Sequence, residues 1–304
     1  MPAAGEEINN LDDARRILRR YSKYYDTHTL KMYLAGNRQQ RQWILMAAKE
    51  QNIMPTSEGA LDFRYDMTMA MDGYPGQEHN IPITPLYKDV VSLMSQTGIA
   101  YTPTLIVAYG APHADNYWYA KEPPYNDVKM QRFTPYQVLA SKARRRGRSA
   151  FGGGNDGGWF MDEEYNFPLV ARAVNSIVKA GGRVGVGSHG QLDGVGYHWE
   201  LWSYAMGGMT PMDILRCATT YGAQAIGLQN DLGTVEAGKL ADLVIMDRNP
   251  LENIRNSNSI RYVMKNGRLY DGNTLDEVYP RQRKMEHVPG TPERPSVKAG
   301  VDLP

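Results

Sequence analysis

The sequence predicts an α/β protein built on a parallel sheet, with a smaller β-rich segment after it. Two observations support this prediction. Helical patterns and short apolar strands alternate at intervals of about 25–30 residues, which is the rhythm of repeated βα units. Beyond Gly227 the pattern changes to short strands and turns. A chain of 304 residues has room for one large domain of about 200–250 residues and a small satellite.

Individual elements follow from local patterns. A helix begins after the cap-like Asn10, because apolar residues recur at helical spacing beyond it. The pair Gly181-Gly182 ends a later helix, and Asn266-Gly267 predicts a hairpin turn within 260–270. The other predicted elements are strands at 27–34, 53–58, 72–80, 99–107, 183–189 and 240–247, and helices at 41–49, 65–70, 86–96, 167–180 and 210–218.

Polar side chains stand at the ends of the predicted parallel strands. Glu58, His79 and His189 each close a strand, and Lys31 lies within another. The lysine either has a function there or reaches out to water from the end of its strand. Because the carboxyl ends of parallel strands meet at one edge, we expect these side chains at a common rim.

Composition excludes several classes of partner. The chain has 34 Lys and Arg against 33 Asp and Glu, so its net charge of +1 gives no long-range attraction to nucleic acid or to an anionic membrane. The single cysteine, Cys217, excludes an internal disulfide framework. No apolar run approaches the roughly 20 residues of a membrane span, and the N-terminus has no hydrophobic signal segment. We expect a cytoplasmic protein.

The segment 108–165 interrupts the βα rhythm. It is rich in Tyr and Trp, and it contains a basic run at 142–148 and a glycine-rich cluster at 151–158. Barrel enzymes place lids and substrate loops after strand ends, so Tyr109 and Trp118 are candidate substrate contacts, together with His198 further along. The glycine cluster lacks the ending of a phosphate loop and is interpreted as a hinge, and the basic run as a solvated helical face.

The run from Gly207 to Asp271 is distinctive: GGMTPMDILRCATTYGAQAIGLQNDLGTVEAGKLADLVIMDRNPLENI, then VMKNGRLYDG. It resembles the closing segment of the amidohydrolase superfamily, in its imidazolonepropionase- and prolidase-like branch. The elements HWELW, TPTL and GSHGQ are similar to the subgroup fused to TolB-type propellers. The resemblance implies an incomplete TIM-like (β/α) barrel of about five βα units over 1–226. It also implies a β-sandwich-like segment over 227–279 and an extended tail over 280–304.

The same resemblance implies roles for particular positions. Lys31 falls where the fourth strand carries a lysine, often carbamylated, that bridges two metals. Glu58 takes the place of a histidine ligand, and His79 matches the sixth-strand histidine. His189 stands where the eighth strand usually offers a proton-accepting aspartate. The implied metal ligands are thus Lys31, Glu58, His79 and His189 around one or two divalent ions, with zinc favoured. Candidate bases are Glu58, His189, His198 and Glu200.

Two departures from the family pattern matter for function. The His-x-His pair of the family's first strand does not occur in this sequence. The first three βα units, on the order of 30 residues each, are also missing. Five parallel strands have two open edges, which the 108–165 insert, a second copy of the chain or another polypeptide could cover. Among these, self-association is favoured.

Three functions remain open from the sequence. The first is a metal-dependent hydrolase that attacks an amide, cyclic amide or peptide-like C–N bond of a small molecule by a metal-activated water. The second is an esterase or lactonase on the same scaffold. The third is a non-catalytic barrel remnant that serves as an interaction or assembly module.

Overall fold

The computed structural model describes residues 7–139, 141, 160–190 and 192–291. The basic run and the glycine-rich cluster lie outside these residues, and so does the end of the predicted tail. Five parallel strands form the first sheet, in the order β1-β2-β3-β4-β5. They are β1 (Thr29–Tyr33), β2 (Met54–Glu58), β3 (Gly76–Glu78), β4 (Ala100–Thr102) and β5 (Arg183–Val184).

Helices connect these strands, and side chains cap several of their first turns. Asn10, Asn37 and Asp62 each accept a hydrogen bond from a backbone N–H three residues further on. The α-helices of the described residues are α1 (Leu11–Tyr24), α2 (Arg38–Glu50), α3 (Phe63–Asp72), α4 (Lys88–Gln96), α5 (Ala114–Lys121), α6 (Val128–Phe133), α7 (Phe167–Lys179), α8 (Val195–Met206), α9 (Pro211–Arg216) and α10 (Gly222–Ala225).

The two faces of the parallel sheet differ. One face carries a buried row across all five strands: Met32, Ser57, Gln77, Tyr101 and Val184. Its contacts are with helical segments, because the hydroxyl of Ser57 bonds Tyr65 of α3. Successive side chains alternate between faces, so the opposite face presents Lys31, Glu58 and Glu78. That second face is polar and positions the candidate site.

Three strands are much shorter than the sequence patterns indicate: β3, predicted at 72–80, spans only Gly76–Glu78, and the other two are β4 and β5. Strand β4 ends at Thr102, because Thr104 adopts a left-handed conformation (φ +51°) and Leu105–Val107 form a 3-10 turn. Strand β5 stops at Val184, and the chain then runs as a loop to His189, whose φ is +57°. The predicted strand ends at 107 and 189 are therefore wrong. The sequence patterns also give no indication of helix α8.

The second sheet is antiparallel and has the order β6-β7-β8-β9. Its hairpin turns at Asn266 and Gly267, which both have positive φ (48° and 75°), so the predicted turn is confirmed. The strands are β6 (Leu243–Met246), β7 (Ile260–Lys265), β8 (Arg268–Asp271) and β9 (Glu277–Tyr279). The domain boundaries at 226 and 279 stay predictions. Within the described ranges, no helix combines the length and apolar character needed to cross a membrane.

Candidate functional site

The carboxylate of Glu58 is the centre of the candidate site. It is the last residue of β2 and is only 1% exposed. Its Oε2 atom lies 2.6 Å from the Lys31 ammonium and 3.3 Å from Nε2 of His79. Its Oε1 atom accepts a hydrogen bond of 2.8 Å from the hydroxyl of Tyr109. Three segments that are distant in sequence therefore converge on one buried carboxylate.

Electrostatics keep this carboxylate ionised. Burial opposes its charge, but hydrogen bonds from Lys31 and Tyr109, together with His79, outweigh burial and lower the pKa of Glu58. At His79 burial also opposes the charge, and there it prevails: it lowers the pKa and favours the neutral imidazole. Burial and the bond to Glu58 raise the pKa of Tyr109, so its hydroxyl stays a donor.

The sequence left two interpretations of Lys31 open, a functional lysine and a lysine that reaches out to water, and its contacts are compatible with both. Strand β1 has a neighbour on one side only among the described strands, and the Lys31 side chain is 48% exposed. Its ammonium nevertheless contacts buried Glu58. The lysine therefore reaches water and the candidate site at once.

Two histidines stand beside the carboxylate. His79 is 3% exposed, has φ of +65°, and donates its backbone N–H to the carbonyl of Thr102 at 2.7 Å. His189 is exposed, and its ring packs edge-on against that of His79 with 5.1 Å between centroids. Both histidines adopt left-handed backbone conformations, which are uncommon outside glycine and can mark functional strain.

The four predicted metal ligands do not fit a divalent ion while Lys31 is an ammonium. Its positive charge stands 2.6 Å from the Glu58 oxygen that faces His79, which is where a metal would be held. In the part of the chain that the structure describes, no three or more His, Cys, Asp or Glu side chains are arranged to bind a metal. The roles of Lys31, Glu58, His79 and His189 as ligands stay predictions.

Three other candidate residues make their contacts around helix α8. Glu200 is fully buried, and its two oxygens accept backbone hydrogen bonds from Leu105 (2.8 Å) and Ile106 (2.9 Å). Nδ1 of His198 lies 3.0 Å from the Ser257 hydroxyl, and burial lowers the pKa of this histidine to about 4. Trp118 is 4% exposed and donates its indole N–H to a serine of α8. None of these three side chains has a direct contact with Glu58 among the hydrogen bonds and ion pairs described above.

Three polar residues near Glu58 had no predicted role. Glu78 is its aligned neighbour on β3, and burial raises the pKa of Glu78. Asn80 bonds both the N–H (2.6 Å) and the carbonyl (3.3 Å) of Tyr109, which fixes that residue beside the site. Asp66 on α3 is buried, and burial raises its pKa to about 8. The motif QEHN points to Glu78 and Asn80, whereas no local pattern points to Asp66.

Comparison with known proteins supports the family suggested by the sequence. Residues 162–270 match the model of the amidohydrolase family. The resemblance to the amidohydrolase superfamily is confirmed. Members of this family generally use divalent metals. The matched segment includes β5, His189 and α8, as well as β6, β7 and all but the last residue of β8.

Curated relatives of this amidohydrolase segment match only part of the chain. Imidazolonepropionase from Shouchella clausii is 38% identical over 79 residues, which cover 25% of this chain and 18% of that protein. Ochratoxinase from Aspergillus niger is 29% identical over 105 residues, which cover 33% of this chain and 22% of that protein. The chain thus spans about a fifth of the length of these curated relatives.

Solved structures confirm the predicted amidohydrolase fold. A Xaa-Pro dipeptidase superposes with a TM-score of 0.58 at 20% identity, covering 87% of this chain and 59% of its own. A putative prolidase from Bifidobacterium longum gives 0.54 at 16% identity, covering 94% and 65%. At these identities the likeness concerns the fold. The prediction of an incomplete barrel with a small antiparallel sheet is confirmed.

Proposed function

We propose that this chain carries the centre of a hydrolase that cleaves an amide, cyclic amide or peptide-like C–N bond in a small molecule. One observation supports this most directly. In a chain with an amidohydrolase match, Lys31, Tyr109 and His79 surround the buried carboxylate of Glu58 at the carboxyl ends of the strands. Barrel enzymes carry their active sites at this end of the sheet.

The side chains present can perform the steps of amide hydrolysis. Ionised Glu58 is suited to accept a proton from the attacking water. The ammonium of Lys31 and the hydroxyl of Tyr109 are donors that can stabilise the oxyanion of a tetrahedral intermediate. His189 is exposed beside His79, and it can deliver a proton to the leaving nitrogen. We assign Glu58 the central catalytic role.

Metal dependence is a further part of the proposal, based on the family match. A divalent ion becomes compatible with the site once Lys31 loses its positive charge, as it would on carbamylation. The carbamate, Glu58, His79 and His189 would then be the donor set, and the bound ion would supply a more acidic water. Elemental analysis, with carbon-13 NMR of protein equilibrated with labelled bicarbonate, tests this independently of activity. Stoichiometric zinc and a carbamate signal that is absent from Lys31→Arg are expected. A metal-free protein without that signal would contradict metal dependence.

The hydrolase proposal is tested with matched substrates. Purified protein, assayed with and without added Zn²⁺, is offered N-acyl amino acids, cyclic amides and dipeptides, each beside the corresponding ester or lactone. We expect amide hydrolysis, and at least a ~100-fold lower kcat/KM for Glu58→Gln because the base is lost. Glu252→Gln, at an exposed glutamate between β6 and β7, is the control, and its kcat/KM should equal that of the unmodified protein.

Ester or lactone hydrolysis is the second candidate. Burial lowers the pKa of His79 and so favours its neutral form, and an alkoxide leaving group needs less help from an acid than an amine does. Hydrolysis of esters alone, still dependent on Glu58, would favour this candidate over the first. Failure to hydrolyse either class, with metal supplied, would contradict both and favour a non-catalytic interaction module.

We also propose that the open β1 edge is covered in a homo-oligomer. Among the described residues, β1 pairs on one side only, and Tyr24, Tyr25 and Tyr33 near it are 70%, 62% and 66% exposed. Unpaired strand edges with apolar neighbours favour association. Light scattering is expected to give a dimer or larger species, with Tyr33→Lys weakening it and Tyr279→Lys on β9 as the control. A stable monomer that retains hydrolase activity would contradict this assembly.

A further inference from the structure

Helix α8 contacts both chain segments that lead to the candidate site. Glu200 and Tyr204 stand one helical turn apart on α8, and both are fully buried. Glu200 accepts the backbone N–H groups of Leu105 and Ile106. Tyr204 donates its hydroxyl to the carbonyl of Gly185 at 2.7 Å.

Each of these segments supplies one side chain to the site. The turn bound by Glu200 leads directly to Tyr109, whose hydroxyl bonds Glu58. The loop bound by Tyr204 begins at Gly185 and leads to His189, whose ring contacts His79. The two hydrogen-bonding residues of α8 therefore hold opposite sides of the same cluster.

The turn after β4 has a specific need for an acceptor. The left-handed conformation of Thr104 ends the strand, and the first N–H groups of the short 3-10 turn have no partner within it. Buried N–H groups without a partner are costly, and one carboxylate satisfies both. Glu200 thus fixes the direction in which the chain leaves β4 toward Tyr109.

Among the residues that the structure describes, no cation contributes to the pKa of Glu200. The titratable groups that act on it electrostatically are Tyr101 of β4 and Tyr197 and Tyr204 of α8. Burial raises the pKa of all three, so they are neutral at physiological pH. Burial also raises the pKa of Glu200 to about 8. The geometric observation that carries its role is that both oxygens of this buried side chain are matched to the N–H groups of Leu105 and Ile106.

We propose that Glu200 is a positioning residue that, with Tyr204, locks the Leu105–Tyr109 and Gly185–His189 segments so that Tyr109 and His189 face Glu58. The proposal rests on the proposed function for its catalytic consequence. The positioning itself is independent of activity. Glu200 acts through Tyr109 and has no contact role with substrate.

Residue-resolved hydrogen exchange of two variants tests the positioning. Above its pKa of about 8 Glu200 offers two acceptor oxygens, and Glu200→Gln keeps the side-chain shape but replaces one of them by a donor, so at such pH exchange at Leu105, Ile106 and Tyr109 should accelerate at least ~10-fold. Tyr204→Phe removes the bond to Gly185 and the hydroxyl beside Glu200 but leaves the Glu200 carboxyl in place, so exchange should accelerate in the 185–189 loop much more than near Tyr109. Glu277→Gln, at a buried glutamate of β9, is the control that leaves both segments unchanged.

Kinetics then test the catalytic consequence. Glu200→Gln should lower kcat by about 10-fold or more with little change in KM, and Glu200→Asp should partly restore it, since a carboxylate returns. Uniform acceleration of exchange throughout the chain, or no change near Tyr109, would overturn the positioning role. Local acceleration in a protein without hydrolase activity would retain the positioning and refute only the proposed function.

Discussion

The pKa values of two buried glutamates, Glu58 at the strand ends and Glu200 on α8, are shifted in opposite directions. The two residues are 1% and 0% exposed, so burial alone does not distinguish them. Glu58 contacts an ammonium and a phenol, which lower its pKa against the cost of burial. Glu200 contacts two backbone N–H groups and neutral side chains, and its pKa rises to about 8.

The comparison shows what makes a buried carboxylate available for chemistry. Backbone amides satisfy the oxygens of Glu200 but bring no net charge, so burial prevails. Lys31 brings a positive charge to Glu58 from strand β1, which pairs on one side only among the described strands and leaves the lysine half-exposed. The contact with this cation helps to keep Glu58 ionised.

The largest expected effect concerns stability around Glu200. Its folded pKa of about 8 lies above the ordinary 4.5, so the folded protein binds more protons than the unfolded chain between these values. The free energy of unfolding should therefore fall as pH rises from about 4.5 to 8, by up to ~5 kcal/mol from this residue. Denaturant unfolding of the native protein and of Glu200→Gln across this range measures the effect.

The test compares how the free energy of unfolding depends on pH in the native protein and in Glu200→Gln. Glu200→Gln removes the titrating group and should lose this part of the pH dependence. Glu277→Gln should keep it, because that glutamate lies on β9, in the other sheet. Parallel curves for the native protein and Glu200→Gln would show that Glu200 titrates as in the unfolded chain.

The next effect concerns the cation beside Glu58. Lys31→Met removes the charge that contacts the carboxylate, and kcat/KM should fall by about 100-fold, the usual cost of losing one oxyanion donor. Lys49→Met, at an exposed lysine of α2, is the matched control. Full activity in Lys31→Met would show that Lys31 has no role in catalysis.

Lys31→Arg separates two roles for that position. Arginine keeps a positive charge but cannot form the carbamate. Retained activity above that of Lys31→Met would favour a cation acting directly. Loss of activity together with loss of bound metal would favour a carbamylated lysine as a ligand.

Sequence patterns predicted the residues of the candidate cluster better than they predicted helix α8 and its contacts. Glu58 and His79 stand directly at the ends of apolar strands, where local alternation predicts a rim, and the structure brings them within 3.3 Å. Tyr109 follows the same logic, since it comes just after the β4 segment. Periodicity is enough here because parallel strands share one edge.

The contacts of Glu200 could not be predicted in this way. Its partners, Leu105 and Ile106, are about 95 residues earlier in the chain and bind through backbone N–H groups, which carry no sequence signature. Helix α8 contains Trp199, Trp202 and Tyr204 within a few residues and is buried on several sides, so it lacks a clear amphipathic stripe. The exposure of Lys31 likewise depends on which strands pair with β1, a property of the whole sheet.

The smallest expected effect concerns the hydroxyl of Tyr109, the residue that Glu200 of α8 is proposed to position. Tyr109→Phe removes the hydrogen bond to Glu58 but keeps the ring against His79, so kcat/KM should fall by about 10-fold. Tyr270→Phe on β8 is the control. If Glu200 acts by positioning Tyr109, both changes break the same contact. The double variant Tyr109→Phe with Glu200→Gln should then be only slightly less active than the less active of the two single variants. Multiplying losses would mean that Glu200 supports catalysis by another route, and the two buried glutamates would then be functionally separate.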